Sequence, residues 1–266
     1  MLKELILSKE EILNQLRELF KLQNDFQVKA MGQIDWWNVK ELNGKPVNYA
    51  IATIAEMAEA MESIDFKWWG TGSDDLVNFG VELIDILHFE MSNSMRLMGL
   101  RFDDFYIEGL LETSNPILNS LAEDLYQTQS RVQSSEFDKD EFYNLLLQLV
   151  SISATLSGKR GQIIPMLVDS YVANIKLIFS MLRLLGWDFE TICNKYKLKN
   201  ALNHVRKLNG YKEGKYLKTW VSVSTGVQDE DNKIALELVK GQALTFEEMI
   251  ELLDGYYKKN IAILVD

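Results

Sequence analysis

The sequence predicts an all-α protein. Apolar residues recur at the three- and four-residue spacing of an amphipathic helix through most of the 266 residues. Only 3 prolines and 15 glycines interrupt the chain, which favours long helices over a many-stranded β-sandwich. The one short strand candidate is VSVST at 221–225. A hydrophobic fraction of 47% is enough to fill a sizeable core.

Apolar stripes locate the first helices along the chain. The stripes are Leu5, Ile12, Leu16 and Leu19, then Ile51, Ile54, Ala58 and Met61, then Leu83, Ile84, Leu87 and Met91. Glycine-containing stretches at 31–47 and 70–75 separate them and are predicted connections. The second connection is short, so the helices on either side of it are expected to run antiparallel.

End signals place the later helices. The stretch 127–139 loses the apolar period and is predicted to be a mobile loop. Asp138 followed by Glu141 is the predicted start of the next helix. Thr245 followed by Glu248 predicts a capping box that opens a last helix.

Composition and charge narrow the class of protein. The net charge is −11 and the pI is near 4.8, which argues against nonspecific coating of nucleic acid. The opening MLKELILSKEE places acidic residues where a signal peptide needs an apolar run. The most apolar later stretch, 171–187, is broken by Lys176 and Arg183. We therefore expect a cytoplasmic protein with neither a membrane partner nor a nucleic-acid partner.

Two pairs of acidic residues carry the clearest chemical signal. Glu56 and Glu59 lie in IATIAEMAEAM, and Glu82 and Asp85 lie in GVELIDILHF. Spacing of three residues places each pair on one helix face, and the flanking residues are apolar, so we expect all four acids to face inward. Burying them uncompensated would be costly, and a hard divalent cation such as Mg²⁺ neutralises carboxylates best. A solvated helix edge is the other interpretation of each pair.

A basic segment provides the second signal. Residues 195–218 carry a net charge of +7, whereas the rest of the chain carries −18. Tyrosines, Trp220 and the amides of Asn200 and Asn203 accompany the basic residues. Such a segment in an acidic protein suits a compact polyanion such as a nucleoside triphosphate. A solvated charge run is the simpler alternative.

These residues fall within a longer resemblance. The chain resembles the dimeric, all-α dUTPases, relatives of the all-α nucleoside triphosphate pyrophosphohydrolases. The matching motifs are LQ at 22–23, EMAEAMES at 56–63, KWW at 67–69, VELIDILHF at 81–89 and YKLKNALNHVRKLNGYKEGKYLKTW at 196–220. The resemblance implies a helical bundle of the all-α pyrophosphatase type over 1–266. The segment 101–161 matches least and is the predicted site of an additional helical lobe.

The resemblance also implies site residues. The metal ligands it implies are Glu56, Glu59, Glu82 and Asp85, for two or more Mg²⁺ ions that Mn²⁺ can replace. The phosphate-binding residues are Lys67, Lys199, Arg206, Tyr211 and Lys218. The nucleoside-binding residues are Gln23, Gln27, Trp69 and Asn203. Two positions depart from the family pattern: Gln27 stands where an asparagine is common, and Gly80 stands where an arginine is frequent.

The expected activity is hydrolysis of dUTP, and of dUDP as well, to dUMP by a homodimer, with pyrophosphate as the other product from dUTP. Glu56 is the predicted general base that takes the proton of the attacking water. An enzyme acting on dCTP or on a broader nucleotide set, and a catalytically silent nucleotide-binding module, are the alternatives. His88, His204 and the lone Cys193 are expected to be structural.

Overall fold

The computed structural model describes residues 7–41, 43–67, 69–101, 109, 112, 115–129, 138–157 and 165–265. The predicted all-α class is confirmed. In chain order the helices are α1 (Lys9–Met31), α2 (Tyr49–Glu62), α3 (Leu76–Arg101), α4 (Pro116–Thr128), α5 (Lys139–Ser157), α6 (Pro165–Leu184), α7 (Phe189–Leu208), α8 (Asp231–Val239) and α9 (Phe246–Val265), with a 3₁₀ turn at Trp36–Asn38. The predicted apolar position Leu5, and residues 130–137 of the predicted mobile loop, lie outside the described residues.

The chain forms two compact units, Met1–Cys193 and Asn194–Asp266. In the first unit, α3 packs against α2 and α6, α1 packs against α4, and α5 packs against α2. The described helices of the 101–161 segment, α4 and α5, therefore pack on other helices of the same unit. A single functional domain with a lobe in that segment stays a prediction. Among the described residues, no helix is both long enough and apolar enough to cross a membrane.

Helix ends agree with the local signals in the sequence. The backbone N–H of Glu141 donates to Asp138 Oδ1 at 3.0 Å, at the predicted start of α5. In the capping box before α9, the N–H of Glu248 donates to Thr245 Oγ1, and the N–H of Thr245 donates to Glu248 Oε2. Each cap satisfies backbone donors that the first helical turn leaves unpaired. Both predicted helix starts are confirmed.

The buried face of α2 differs from the predicted stripe by one residue. The buried side chains are Tyr49, Ala50, Thr53, Met57 and Ala60. Ile51, a member of the predicted stripe, is 57% exposed. One residue corresponds to a rotation of about 100° around the helix axis. The predicted stripe is wrong because polar Thr53 is buried, where it donates to Glu90 on α3, whereas apolar Ile51 lies on the exposed side.

The second unit surrounds a small aromatic core. Trp220 and Tyr257 are fully buried, and Tyr257 stacks on Tyr216 with ring centroids 4.6 Å apart. Strand β1 (Thr219–Val221) pairs antiparallel with β2 (Gln228–Glu230). The predicted strand at 221–225 is therefore wrong apart from its first residue.

The residues after that strand form a turn instead. The hydroxyl of Ser222 donates to Glu237 Oε2 at 2.8 Å, and the N–H of Ser224 donates to Glu237 Oε1 at 2.6 Å. A carboxylate from α8 thus satisfies turn groups that a longer strand would have paired with its neighbour.

Candidate active site

Three of the four predicted metal ligands come together at the junction of α2 and α3. Oxygen atoms of Glu56, Glu59 and Glu82 all lie within 4.8 Å of one another. Mg²⁺ binds oxygen at about 2.1 Å, so opposite ligands stand about 4.2 Å apart. Adjacent ligands stand about 3.0 Å apart, so the three carboxylates would have to move closer together to share one ion. Their all-oxygen donor set suits a hard divalent cation.

Burial is graded across this acidic cluster. Glu82 is buried, Glu56 is half-buried and Glu59 is exposed, so the expectation that all four acids face inward is wrong for Glu59. Asp85 is half-buried one turn after Glu82 and lies outside the group of three. The exposed member gives the cluster an open side, which lowers the cost of holding three acids together and gives a cation a route in.

Hydrogen bonds fix the connection between the two acidic helices. The N–H of Asp75 donates to the Ser63 carbonyl at 2.8 Å, and the amide of Asn78 donates both to Ser63 Oγ and, at 3.3 Å, to Glu82 Oε1. Lys139 on α5 donates to Asp74 Oδ1 at 2.8 Å. That bond lowers the pKa of Asp74, so the carboxylate stays ionised. The connection therefore holds the two acid pairs at a set spacing.

A second carboxyl group joins the same two helices more deeply. Glu90 on α3 is 0% exposed and accepts hydrogen bonds from Thr53 Oγ1 at 2.7 Å and from Asn174 Nδ2 at 2.9 Å. Thr53 lies one turn before Glu56 on α2. Desolvation raises the pKa of Glu90 to about 7, although both hydrogen bonds oppose the shift. Nothing in the sequence pattern distinguished this glutamate from a surface acid.

The two predicted nucleoside-binding glutamines lie buried between α1 and α3. Gln23 is 2% exposed and Gln27 is 5% exposed. Their Nε2 atoms donate to the same atom, Ser92 Oγ, at 2.8 and 2.9 Å. Gln27 Oε1 also accepts from the Tyr49 hydroxyl at 3.3 Å. Both amides are therefore held in place before any ligand binds.

The KWW motif contributes two more predicted site residues. Lys67 forms an ion pair with Glu62 at 2.6 Å, and its ammonium lies 5.4 Å from the centre of the Phe66 ring. Trp69 is 63% exposed and meets Phe66 edge to face. A phosphate would have to compete with Glu62 for the lysine, whereas Trp69 offers an open aromatic face.

The second unit holds the basic residues in a polar network. Arg206 donates through Nε and Nη2 to the two carboxylate oxygens of Asp231, at 2.9 and 2.8 Å. Its Nη1 donates to Asn203 Oδ1 at 3.2 Å. The Tyr216 hydroxyl also donates to Asp231, at 2.8 Å. Its Nη2 also donates to Asn232 Oδ1 at 3.1 Å. The guanidinium is thus engaged within the unit, and a phosphate would have to compete with these partners for it.

The other predicted phosphate-binding residues differ in exposure. Lys199 is 6% exposed and donates to Asn232 Oδ1 at 2.8 Å. Tyr211 is 45% exposed, and the Lys218 ammonium lies 5.5 Å from the centre of its ring. Lys199 is therefore a fixed charge, whereas Tyr211 and Lys218 form an accessible pair.

The chain matches a known protein family. The sequence model of the dUTPase family matches residues 15–211. No curated protein shows a significant match to the chain.

The chain belongs to the dimeric all-α dUTPase family.

Membership of this family has a general functional meaning. Proteins of the dUTPase family hydrolyse dUTP, so their substrate is a nucleotide, and they generally use a divalent metal. The matched residues include the acidic cluster and end at Tyr211. Lys218, Asp231 and Asn232 lie beyond the match.

The departure from the dUTPase pattern at Gly80 has a packing reason. A Cβ atom at this position would lie 2.4 Å from a ring carbon of Trp187. Carbon atoms cannot approach this closely, so the indole requires glycine here and occupies the space that a side chain would need. Because the two residues are more than a hundred positions apart, the sequence did not reveal the pairing.

Two other residues that sequence reasoning missed are Asp231 and Asn232. Asp231 is 1% exposed, although acids are rarely buried without a partner. The only local hint was an acid and an amide opening a short helix. Their roles depend on bonds to residues 15 to 33 positions earlier, which no local pattern encodes.

The two histidines and the cysteine lie in buried helix faces, and their structural role stays a prediction. His88 Nδ1 lies 2.7 Å from the Ile84 carbonyl, and His204 Nδ1 lies 3.0 Å from the Asn200 carbonyl. Both are contacts to the preceding turn of the same helix. Cys193 is buried at 2% exposure.

Proposed function

We propose that this dUTPase-family protein hydrolyses dUTP to dUMP and pyrophosphate, accepts dUDP as well, and works as a homodimer. The observation that carries the proposal is the acidic cluster, three carboxylates from two helices within 4.8 Å of one another. Carboxylates this close repel one another, and two of the three are buried or half-buried, so the cluster favours a cationic ligand.

The residues proposed to hold two or more Mg²⁺ ions, replaceable by Mn²⁺, are Glu56, Glu59, Glu82 and Asp85. Divalent ions bound there would offset phosphate charge and lower the pKa of a water molecule. We propose Glu56 as the general base because it is half-buried, between exposed Glu59 and buried Glu82. A half-buried carboxylate can reach both the solvent-facing water and the cluster.

The phosphate chain is proposed to bind Lys67, Lys199, Arg206, Tyr211 and Lys218. Charge-assisted hydrogen bonds from a cation that is already held in place, such as Lys199, bind phosphate oxygens at a low ordering cost. The network around Asp231 supports this role for Arg206, since it orders the guanidinium in advance. Gln23, Gln27, Trp69 and Asn203 are proposed to bind the nucleoside, with Trp69 stacking on the base.

The decisive experiment measures pyrophosphate release from dUTP and from each of the four standard dNTPs, with and without Mg²⁺. The expected result is Mg²⁺-dependent release from dUTP, and phosphate release from dUDP in a parallel assay. Glu56→Gln is expected to abolish turnover while nucleotide binding persists. Equal turnover of dCTP or of all nucleotides would favour the broader pyrophosphatase, and binding without turnover would favour a silent module.

A further inference from the structure

Two side-chain amides converge on one buried hydroxyl. Gln23 and Gln27 are four residues apart, so they share one face of α1. Both donate through Nε2 to Ser92 Oγ on α3, at 2.8 and 2.9 Å. Ser92 is 0% exposed, so water does not compete for these bonds.

The hydroxyl of Ser92 is saturated. A serine hydroxyl offers one donor and two acceptor positions. Its hydrogen goes to the His88 carbonyl at 2.7 Å, and its two lone pairs receive the two amides. An amide turned over would place its carbonyl oxygen against an oxygen that has no hydrogen left to give. In this arrangement each glutamine presents its NH₂ group to Ser92 and its carbonyl oxygen away from it, and Gln27 Oε1 accepts from the Tyr49 hydroxyl at 3.3 Å.

Ser92 also lies at a suitable distance from the proposed reaction site. It follows Asp85 by seven residues, which is two helical turns and about 10 Å along the axis. Residues seven apart lie on the same face of a helix. Ser92, which orients the two amides, is therefore about as far from Asp85 as the base of a nucleotide is from its phosphates.

We infer that Ser92 is a positioning residue that sets selectivity for uracil over cytosine, an inference that rests on the proposed function. Uracil carries a hydrogen on N3, whereas N3 of cytosine is an acceptor. An amide whose oxygen faces the base accepts a hydrogen bond from the uracil N3–H. With cytosine, the same oxygen would lie against N3, so two acceptors would face each other without a hydrogen between them. Thymine carries the same N3–H, so Ser92 separates uracil from cytosine but not from thymine.

The test compares kcat/KM for dUTP, dCTP and dTTP in the full-length protein and in two variants. Ser92→Ala removes the hydroxyl that both amides donate to, so the Gln23 amide loses this orienting partner while Gln27 keeps its bond from the Tyr49 hydroxyl. Ser94→Ala is the matched control, because Ser94 is also 0% exposed on α3 and donates only to the Met91 carbonyl. Ser92→Cys replaces the hydroxyl with a weak acceptor of similar shape and carries the test if Ser92→Ala does not fold.

The dUTP to dCTP ratio is expected to fall about tenfold in Ser92→Ala, the effect of one mismatched hydrogen bond. The dUTP to dTTP ratio should stay unchanged there, and both ratios should stay unchanged in Ser94→Ala. A general structural defect would lower all three rates together.

An unchanged dUTP to dCTP ratio in the folded Ser92 variant overturns the inference. So does a wild-type protein that hydrolyses dCTP as well as dUTP, although the hydrolase would stand. A wild-type protein that hydrolyses no nucleotide overturns the proposed function, and this inference with it.

Discussion

Glu90 is a buried acid whose removal should stabilise the protein. It is 0% exposed, and its two hydrogen-bond donors, Thr53 and Asn174, are neutral. The nearby groups that can carry charge are Tyr171, whose raised pKa is partly due to Glu90, and Arg96, which acts on the same tyrosine. Ionisation of Glu90 is therefore opposed by desolvation.

The size of the effect follows from the pKa values. The pKa of the Glu90 carboxyl is 4.5 in an exposed reference and about 7 in the folded protein. At about 1.4 kcal/mol for each pH unit, the ionised group destabilises the folded state by about 3 kcal/mol above pH 7. The folded pKa is the higher one, so the folded state favours the protonated carboxyl. The stability that comes with protonation is fully present below pH 4.5 and is lost as pH rises through 7.

Glu90→Gln reproduces the shape of the protonated acid without a titrating group. The Thr53 hydroxyl can accept from the new NH₂ group, while Asn174 still donates to the remaining oxygen. The assay is reversible urea unfolding of wild type and variant at several pH values from 5 to 8.5. The variant's free energy of unfolding, relative to wild type, should rise by about 2 to 3 kcal/mol over that range.

The difference in free energy of unfolding between variant and wild type reports on Glu90 through its change with pH. A change in packing adds the same amount to this difference at every pH. Glu251→Gln, at an exposed position on α9, is the control and should give a flat difference. Parallel curves for wild type and Glu90→Gln between pH 5 and 8 would refute the assignment of a raised pKa to this carboxyl.

Three further results are expected. Removing Mg²⁺ with a chelator should stop dUTP turnover, and added Mn²⁺ should restore it in wild type but not in Glu56→Gln, as followed by pyrophosphate release. Gly80→Ala should lower the free energy of unfolding by about 1 to 3 kcal/mol, measured in urea, because the added Cβ would lie 2.4 Å from the Trp187 ring. Asp231→Ala should lower it by about 3 to 5 kcal/mol by leaving the Arg206 guanidinium without its bidentate partner, and should weaken binding of every nucleotide alike in calorimetry.

Matched variants sharpen these measurements. Gly255→Ala, inside α9 with nothing within 4 Å of the new Cβ, should raise stability by about 0.5 to 1 kcal/mol. Asp229→Ala removes a carboxylate that is 46% exposed beside Lys233 and should change stability by less than about 1 kcal/mol. A Gly80 variant as stable as wild type would contradict the packing reason for that glycine. Base-selective losses in Asp231→Ala would contradict its link to the phosphates.

The features that the sequence by itself determined depend on interactions between residues close together in the chain. The capping box of Thr245 and Glu248, and the helix start at Asp138, involve residues three apart, so the pattern contains both partners. The three-residue spacing of the acid pairs likewise determined which carboxylates share a helix face, and Glu56, Glu59 and Glu82 do meet.

Only the tertiary structure decided which side of each element is buried and which distant groups pair. The stripe of α2 was misplaced by one residue because apolar Ile51 is exposed while Thr53 is buried against Glu90. Burial depends on the shape of the opposing helix, which a periodicity does not contain. The pairing of Gly80 with Trp187 joins residues far apart in the chain. So does the bond between Arg206 and Asp231, and such contacts follow from packing of whole helices rather than from any local preference.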